Sequence, residues 1–399
     1  MIGLKFSYKN VVMDNAKIRI ALNASMLDNS PTGVGIYTFN LINSLSKLNW
    51  TSEYDRFTVY SPTLLFLDKK LKISKLSNLM LSSKYGKIAA SIRFLWNTLI
   101  YPFKTSKFNL VISTTTHGSF FAKNQIITIH DLLSLRFNTI SSHQRFYFKY
   151  ILPFILSRTK CIITISETTK KDIVEYLKYP KENIHVIYNG YDASKYYLNN
   201  DESKKILHQY GVKNYFLAIG PTYPHKNFEK LLLAYHKLSP IEKIKHPLVI
   251  VGGKQPYLTL LKDLVLKLKL NDNVHFLHYV PEELMADMYR SAFALVFPSL
   301  YEGFGLPPLE AMACGCPVLA SNTPAVKEVC EQAALYMDAY NEKSITASLK
   351  KIISEVALPQ ILREKGLVQA QKFSWTNAAE SLKTLIEEKI HLPKKPLYV

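Results

Sequence analysis

Glu302 and Glu310 stand eight positions apart in Phe297-Pro-Ser-Leu-Tyr-Glu-Gly-Phe-Gly-Leu-Pro-Pro-Leu-Glu310-Ala-Met-Ala-Cys-Gly-Cys-Pro-Val-Leu-Ala320. The apolar run Phe293 to Phe297 reads as a buried strand, and Tyr301-Glu-Gly-Phe-Gly-Leu306 as a glycine-containing turn. Pro307 and Pro308 suit the first turn of a helix, where proline's missing N–H costs nothing. A strand, a glycine turn and a helix N-terminus in that order present free amides and a favourable dipole to an anion. Carboxylates repel an anion, so the two glutamates call for hydroxyl groups instead. One at the loop and one about two turns later suit the sugar and the ribose of a nucleotide sugar. The competing reading is a pair of solvated acids at a helix start.

The pattern Glu-Gly-Phe-Gly-Leu-Pro-x-Leu-Glu-Ala-Met-Ala-x-Gly-x-Pro-Val resembles the signature of retaining glycosyltransferases of family 4, which have the GT-B fold. The resemblance covers about residues 17–390. It implies that Glu302 contacts the transferred sugar and Glu310 the nucleotide ribose. It also places the amides of Gly303, Phe304, Gly305 and Leu306 by the diphosphate. Thr128-Ile-His130-Asp131 closes a strand, where sites of open parallel sheets belong. The string resembles the His-Asp of the family, whose histidine faces the donor sugar near the reacting carbon. That makes His130 a catalytic candidate and Asp131 a binding or ring-orienting one; a lone strand-end histidine is otherwise structural.

Two loops complete the candidate site. Gly33-Val-Gly35 follows the first strand but lacks the spacing and third glycine of a dinucleotide fingerprint. In related enzymes such a loop brings amides to the diphosphate and borders the acceptor, so Gly33 and Gly35 are binding candidates. Relatives often carry arginine next; here it is Ile36. Gly220-Pro-Thr-Tyr-Pro-His225-Lys226-Asn227 resembles the family's Arg-Lys-Asn loop, whose basic pair holds the diphosphate. Lys226 matches and is the candidate for leaving-group stabilisation. His225 stands at the arginine position, replacing a permanent bidentate donor by one mostly neutral at pH 7. Thr164-Ile-Ser-Glu-Thr-Thr-Lys-Lys-Asp172 resembles a cleft-facing segment, yet Ser166 as a helix cap explains it fully. The chain has no Asp-x-Asp to hold a metal, and neither a metal nor another cofactor is expected.

The elements needed to position these residues follow from length and pattern. With 399 residues, 48% of them apolar, the chain exceeds one ordinary core and suits two domains. Strands alternate with helices, which predicts doubly wound α/β domains. The fold class expected is α/β, GT-B, with two Rossmann-like parallel-sheet domains facing across a cleft. The divisions are 1–195 for an acceptor domain, 196–375 for a donor domain, and 376–399 for a helix and tail returning toward the first. Strands are predicted at 17–22, 110–113, 125–129, 161–165, 215–220, 247–251, 274–276 and 294–297, with a polar linker over 191–213. Cys161, Cys314, Cys316 and Cys330 lack zinc-like spacing and read as reduced core thiols of a cytosolic protein.

Net charge is +19, and it is lopsided. Residues 1–200 hold 26 Lys and Arg against 11 Asp and Glu; residues 69–160 hold 15 against Asp131 alone. Lys84 to Lys104 interleaves bases with Ile88, Phe94, Leu95, Trp96, Leu99 and Phe103. As a helix it would suit an anionic membrane surface, with Trp and Phe at head-group level; the alternative is a helix buried in the first domain. The partners expected are a nucleotide-sugar donor, a glycan or lipid-linked acceptor, and the inner face of the plasma membrane. GDP-mannose is the favoured donor, with a UDP-sugar as the alternative. No recognition helix, zinc or aromatic-glycine signature supports nucleic acid. A non-catalytic anion-binding protein and a sugar-nucleotide 2-epimerase are the remaining rivals.

Overall fold

The computed structural model describes residues 17–391 apart from 32, 52–53, 55–56, 123, 138–140 and 200–208. Part of the predicted linker, 200–208, and the tail 392–399 therefore lie outside the described residues. The first sheet contains β1 (Ile20–Asn23), β2 (Thr58–Ser61), β3 (Lys72–Lys75), β4 (Leu110–Ser113), β5 (Gln125–Ile129), β6 (Thr159–Thr164) and β7 (Ile184–Val186). Their order is β3-β2-β1-β4-β5-β6-β7, every pair parallel. The second contains β8 (Tyr215–Ile219), β9 (Leu248–Val251), β10 (Val274–Leu277), β11 (Ala292–Phe297), β12 (Val318–Ser321) and β13 (Ala334–Met337). Its order is β10-β9-β8-β11-β12-β13, also all parallel.

Central strands such as β1, β4, β5, β9 and β12 are buried throughout, as helices on both faces of a parallel sheet require. Strands β2, β3, β7, β12 and β13 were not predicted. Each has three or four residues, and β3 reads Lys-Ile-Ser-Lys, an edge strand ended by lysines that discourage further pairing. The strand order turns at β1–β4 and at β8–β11, and at such switch points the carboxyl ends of strands open a crevice.

The helices that serve the site are α1 (Gly33–Lys47), α2 (Ser82–Leu95), α3 (Glu167–Leu177), α4 (Phe228–His236), α5 (Glu282–Ser291), α6 (Leu306–Ala313), α7 (Pro324–Cys330) and α8 (Trp375–His391). The chain passes between the domains twice, side by side. Tyr191 bridges to Ser374, and a Cβ on Gly190 would lie 2.1 Å from the Trp375 nitrogen, so only glycine allows the crossing. Helix α8 then lies against the first domain. Trp375 meets Tyr37 edge-on at 5.9 Å, and Lys160 Nζ donates to the Lys389 carbonyl at 2.7 Å. The four cysteines are buried and unpaired.

The basic stretch is not one regular helix. Helix α2 breaks at Gly86 (φ 51°), and Trp96–Ile100 forms a wider π-turn before Tyr101–Thr105. Pro102 has no N–H to give, and its ring crowds the carbonyl four residues back, which the wider turn relieves. Pro153 follows Tyr147–Ile151 in the same way. Trp96 is buried against Tyr60 and Tyr101, with ring centroids at 5.9 and 4.7 Å, which corrects its expected place at a membrane surface. Arg93 is likewise buried and donates to the Met80 carbonyl at 2.5 Å. The outward groups are Ile88, Leu95, Leu99, Ile100 and Phe103, the last 81% exposed.

Candidate active site

Two loops of the second domain meet at its switch point. The loop after β8 makes a tight turn at Pro224–Lys226 and reaches Asn227, whose φ is 62°. The Asn227 amide donates to the carbonyls of Pro298 at 3.1 Å and Ala339 at 2.8 Å, tying this loop to those after β11 and β13. Leu300 N–H donates to the His225 carbonyl at 2.8 Å. So held, Lys226 Nζ lies 2.7 Å from Glu302 Oε1 and 3.0 Å from Oε2, in a pair mostly shielded from water. Phe297 lies under the same ammonium at 5.8 Å.

Helix α6 opens just beyond Glu302. Gly305 precedes it at φ 132°, a conformation open to glycine and strained for other residues, and Pro307–Pro308 fill its first turn. The first amides of a helix lack intrahelical partners and carry the positive end of the dipole. Within α6, Glu310 accepts a hydrogen bond from Tyr289 Oη at 2.9 Å. Desolvation raises the Glu310 carboxyl to about 7, against the pull of that bond and helped by nearby Glu282. A half-ionised carboxylate with one oxygen engaged keeps acceptor capacity for hydroxyls.

The first domain contributes from the end of β5. His130 Nε2 is 2.9 Å from the Thr114 carbonyl, and the ring meets Tyr37 edge-on at 4.6 Å. A carbonyl only accepts, so Nε2 carries the proton. Desolvation lowers the imidazole pKa, opposed by the Thr114 bond and by Asp131. The neutral ring therefore offers Nδ1 as an acceptor. Asp131 accepts from Leu133 N–H at 3.0 Å, which starts the short helix Leu133–Arg136, so the ring is oriented by Thr114 and Tyr37.

Domains touch where these parts converge. A Cβ on Gly303 would lie 2.5 Å from the His130 carbonyl oxygen and 3.2 Å from the Asp131 Cβ. Gly303 thus permits the Glu302 loop to abut the His130–Asp131 strand end, which joins the two candidate segments. Phe304 is buried between Tyr188 (6.2 Å) and Phe373 (5.8 Å), so it can offer a ligand only its backbone. Leu306 is half-buried at the start of α6. Gly33 and Gly35 lie in the first turn of α1 rather than in a loop before it, and a Cβ on Gly35 would strike Pro31 at 2.8 Å.

His225 is 6% exposed, with its ring stacked at 5.9 Å on Tyr223 and 6.0 Å from Phe137 of the first domain. Desolvation, then Lys226, push its pKa down to about 4 despite Glu302. It brings no positive charge to the cleft. Sequence reasoning missed the interdomain polar set. Asp172 of α3 accepts from Tyr301 Oη at 2.5 Å and pairs with Arg136 at 3.3 Å, while the Arg136 guanidinium lies 5.1 Å over the Tyr301 ring. It also missed Glu328 of α7. Asn227 was within reach, since it directly follows Lys226 in the quoted loop. Among the described residues, no group of three His, Cys, Asp or Glu is arranged to hold a metal ion.

Two parallel-sheet Rossmann-like domains facing across a crevice define the GT-B fold. Residues 31–195 match the family model "Glycosyltransferase Family 4" and residues 199–369 "Glycosyl transferases group 1"; the chain belongs to these glycosyltransferases. Among its relatives, the O-antigen chain mannosyltransferase RfbU of Salmonella typhimurium is 35% identical over 242 residues, 61% of this chain and 64% of that protein. The O-antigen chain mannosyltransferase B of Escherichia coli is 32% identical, over 58% of this chain and 61% of that protein. The chain thus matches under two thirds of the length of either relative. Sucrose-phosphate synthase of Thermosynechococcus elongatus superposes with a TM-score of 0.75 at 20% identity, over 93% of this chain and 99% of that one. WaaG, a glycosyltransferase involved in lipopolysaccharide biosynthesis, superposes at 0.67 and 16%, over 92% and 99%. These two share the fold.

Proposed function

We propose that the protein is a retaining glycosyltransferase that moves mannose from GDP-mannose to a lipid-linked or polysaccharide acceptor in cell-surface glycan synthesis. The observation that carries this reading is the Lys226–Glu302 pair at the β8–β11 switch point, abutted by the His130 strand end through Gly303. The mannosyltransferase relatives favour mannose as the sugar.

In this reading the bond between the sugar's anomeric carbon and the diphosphate oxygen breaks, and its electron pair stays on that oxygen. Lys226 and the α6 amides are fixed in advance to meet the growing negative charge, the arrangement that lowers such barriers most. The acceptor hydroxyl attacks the same face of the sugar and passes its proton to the departing phosphate oxygen. Glu302 then turns from Lys226 to sugar hydroxyls, His130 Nδ1 accepts from another, and Glu310 takes the ribose. No step in this scheme calls on a metal. Gly33 and Gly35 border the acceptor.

The outer face of the first domain supports peripheral attachment to an anionic membrane. Exposed Leu95, Leu99 and Ile100 lie with Lys104 around an apolar groove of about 450 Å³ floored by Tyr60, Met80 and Trp96, and Phe103 is exposed in the same stretch. Each lysine close to an anionic surface adds roughly 1 kcal/mol of attraction. Among the described residues no helix is long and apolar enough to cross a membrane. The test is proton NMR of the product formed from GDP-mannose, with a chelator present. An α-mannosyl product formed at an undiminished rate supports the reading. An inverted anomer, or activity lost to the chelator, overturns it.

A further inference from the structure

The N-terminus of α3, in the first domain, is capped from the second domain. Glu328 Oε2 accepts from Glu167 N–H at 2.7 Å, and Oε1 accepts from Thr168 N–H at 2.8 Å and Thr168 Oγ1 at 2.5 Å. The helix already has its own cap, since Ser166 Oγ accepts from Thr169 N–H at 3.0 Å. A carboxylate brought from another domain is therefore not needed to start the helix. Its charge sits where the helix dipole favours an anion, so the contact draws the domains together.

The same turn of α3 reaches the reacting segments. Thr169 Oγ1 lies 3.2 Å from the His130 carbonyl and 3.4 Å from the Gly303 carbonyl. One turn further, Asp172 takes the Tyr301 hydroxyl, beside Glu302. Apart from the Thr169 bond to the His130 carbonyl, which lies within the first domain, these contacts join α3 to the stretch 301–328. Opening the cleft would break the interdomain ones together and separate His130 from the Glu302 loop.

We propose that Glu328 is a positioning residue, the clamp that holds the cleft closed with His130 against the Gly303 backbone. The proposal rests on the glycosyltransferase reading for its kinetic part alone. Glu328 touches no substrate in this scheme, and donor binding falls to Lys226, Glu302 and Glu310.

The test uses the full chain with spin labels on cysteines placed at the exposed Lys47 and Lys267, comparing wild type with Glu328→Ala, Glu328→Asp and Thr168→Val. In Glu328→Ala the interdomain distance should broaden to longer values. Its kcat should fall at least tenfold while donor Kd stays within twofold. Thr168→Val, which removes one bond of three, should show a smaller change in the same direction, and Glu328→Asp should recover part of it. Unchanged distances with kcat within twofold would overturn the clamp. So would parallel losses of donor affinity, kcat and thermal midpoint, which mark Glu328 as mere support of the fold. The distance arm needs no turnover. If wild type transfers no sugar and Glu328→Ala still opens, the clamp stands and the reaction assignment fails.

Discussion

The two halves of the cleft are built on opposite electrostatic plans. In the second domain the charges are paired before any ligand arrives: Lys226 rests on Glu302, and Glu310 receives the Tyr289 hydroxyl. In the first domain the strand end offers a neutral histidine fixed by the Thr114 carbonyl. A self-neutralised pair avoids leaving a lone half-buried charge, and a diphosphate can replace Glu302 as the partner of Lys226. The second-domain side is thus charged and preorganised, and the first-domain side works by shape and hydrogen bonding. The domains divide the work by kind of force.

Lys226→Ala should separate the two electrostatic plans most strongly. Turnover should fall by about 10²–10³, the usual effect of deleting a preorganised charge donor, while the thermal midpoint moves only by the few degrees a lost ion pair gives. Activity within a few-fold of wild type would remove Lys226 from the leaving group. His130→Ala should lower kcat by about 10² with donor Kd unchanged, because the first domain meets the sugar only in the closed state. A matching loss in donor Kd would place the ring in ground-state binding instead.

Glu310→Gln should weaken donor Kd by about tenfold, the worth of a charged hydrogen-bond acceptor, as read by calorimetry. It should also flatten a pH response. The folded carboxyl sits near 7 against an ordinary 4.5, so wild-type donor affinity should decline several-fold as the acid form fills below about pH 7. The stability linkage runs the other way: the raised pKa stabilises the fold below the unfolded value and loses that benefit as pH rises through 7. His225 is the converse case. Its pKa is depressed to about 4, so its contribution is present above 6.5 and is lost as pH falls toward 4. The smallest effect belongs to the outer face. Leu99→Ser with Phe103→Ser should reduce sedimentation with anionic vesicles several-fold and leave turnover of a water-soluble acceptor unchanged.

The second domain was the more legible half, for a physical reason. Its site lies in contiguous strings, the loop around Lys226 and the run from Glu302 to Glu310, where turn chemistry and helix-start prolines announce the local geometry. The first domain works through strand ends, and short polar strands such as β2 and β3 carry little periodic signal. Glu328, Asp172 and Tyr301 were illegible because their partners lie 129 to 161 positions away, and no local pattern encodes a contact between domains. Ser166 was read correctly as a cap, which hid the second role of the same turn. Trp96 was misplaced because interleaved bases and aromatics fit a membrane helix and a broken core helix equally well; Pro102 and Gly86 decide for the latter.

The most direct test is release of free nucleotide by the purified full chain, across GDP-mannose, GDP-fucose, UDP-glucose, UDP-galactose and UDP-N-acetylglucosamine, with bacterial lipid extract as acceptor. Selective turnover of GDP-mannose, dependent on the lipid, is the expected result. Nucleotide binding with no turnover of any of these donors, or turnover confined to a UDP-sugar, would contradict it.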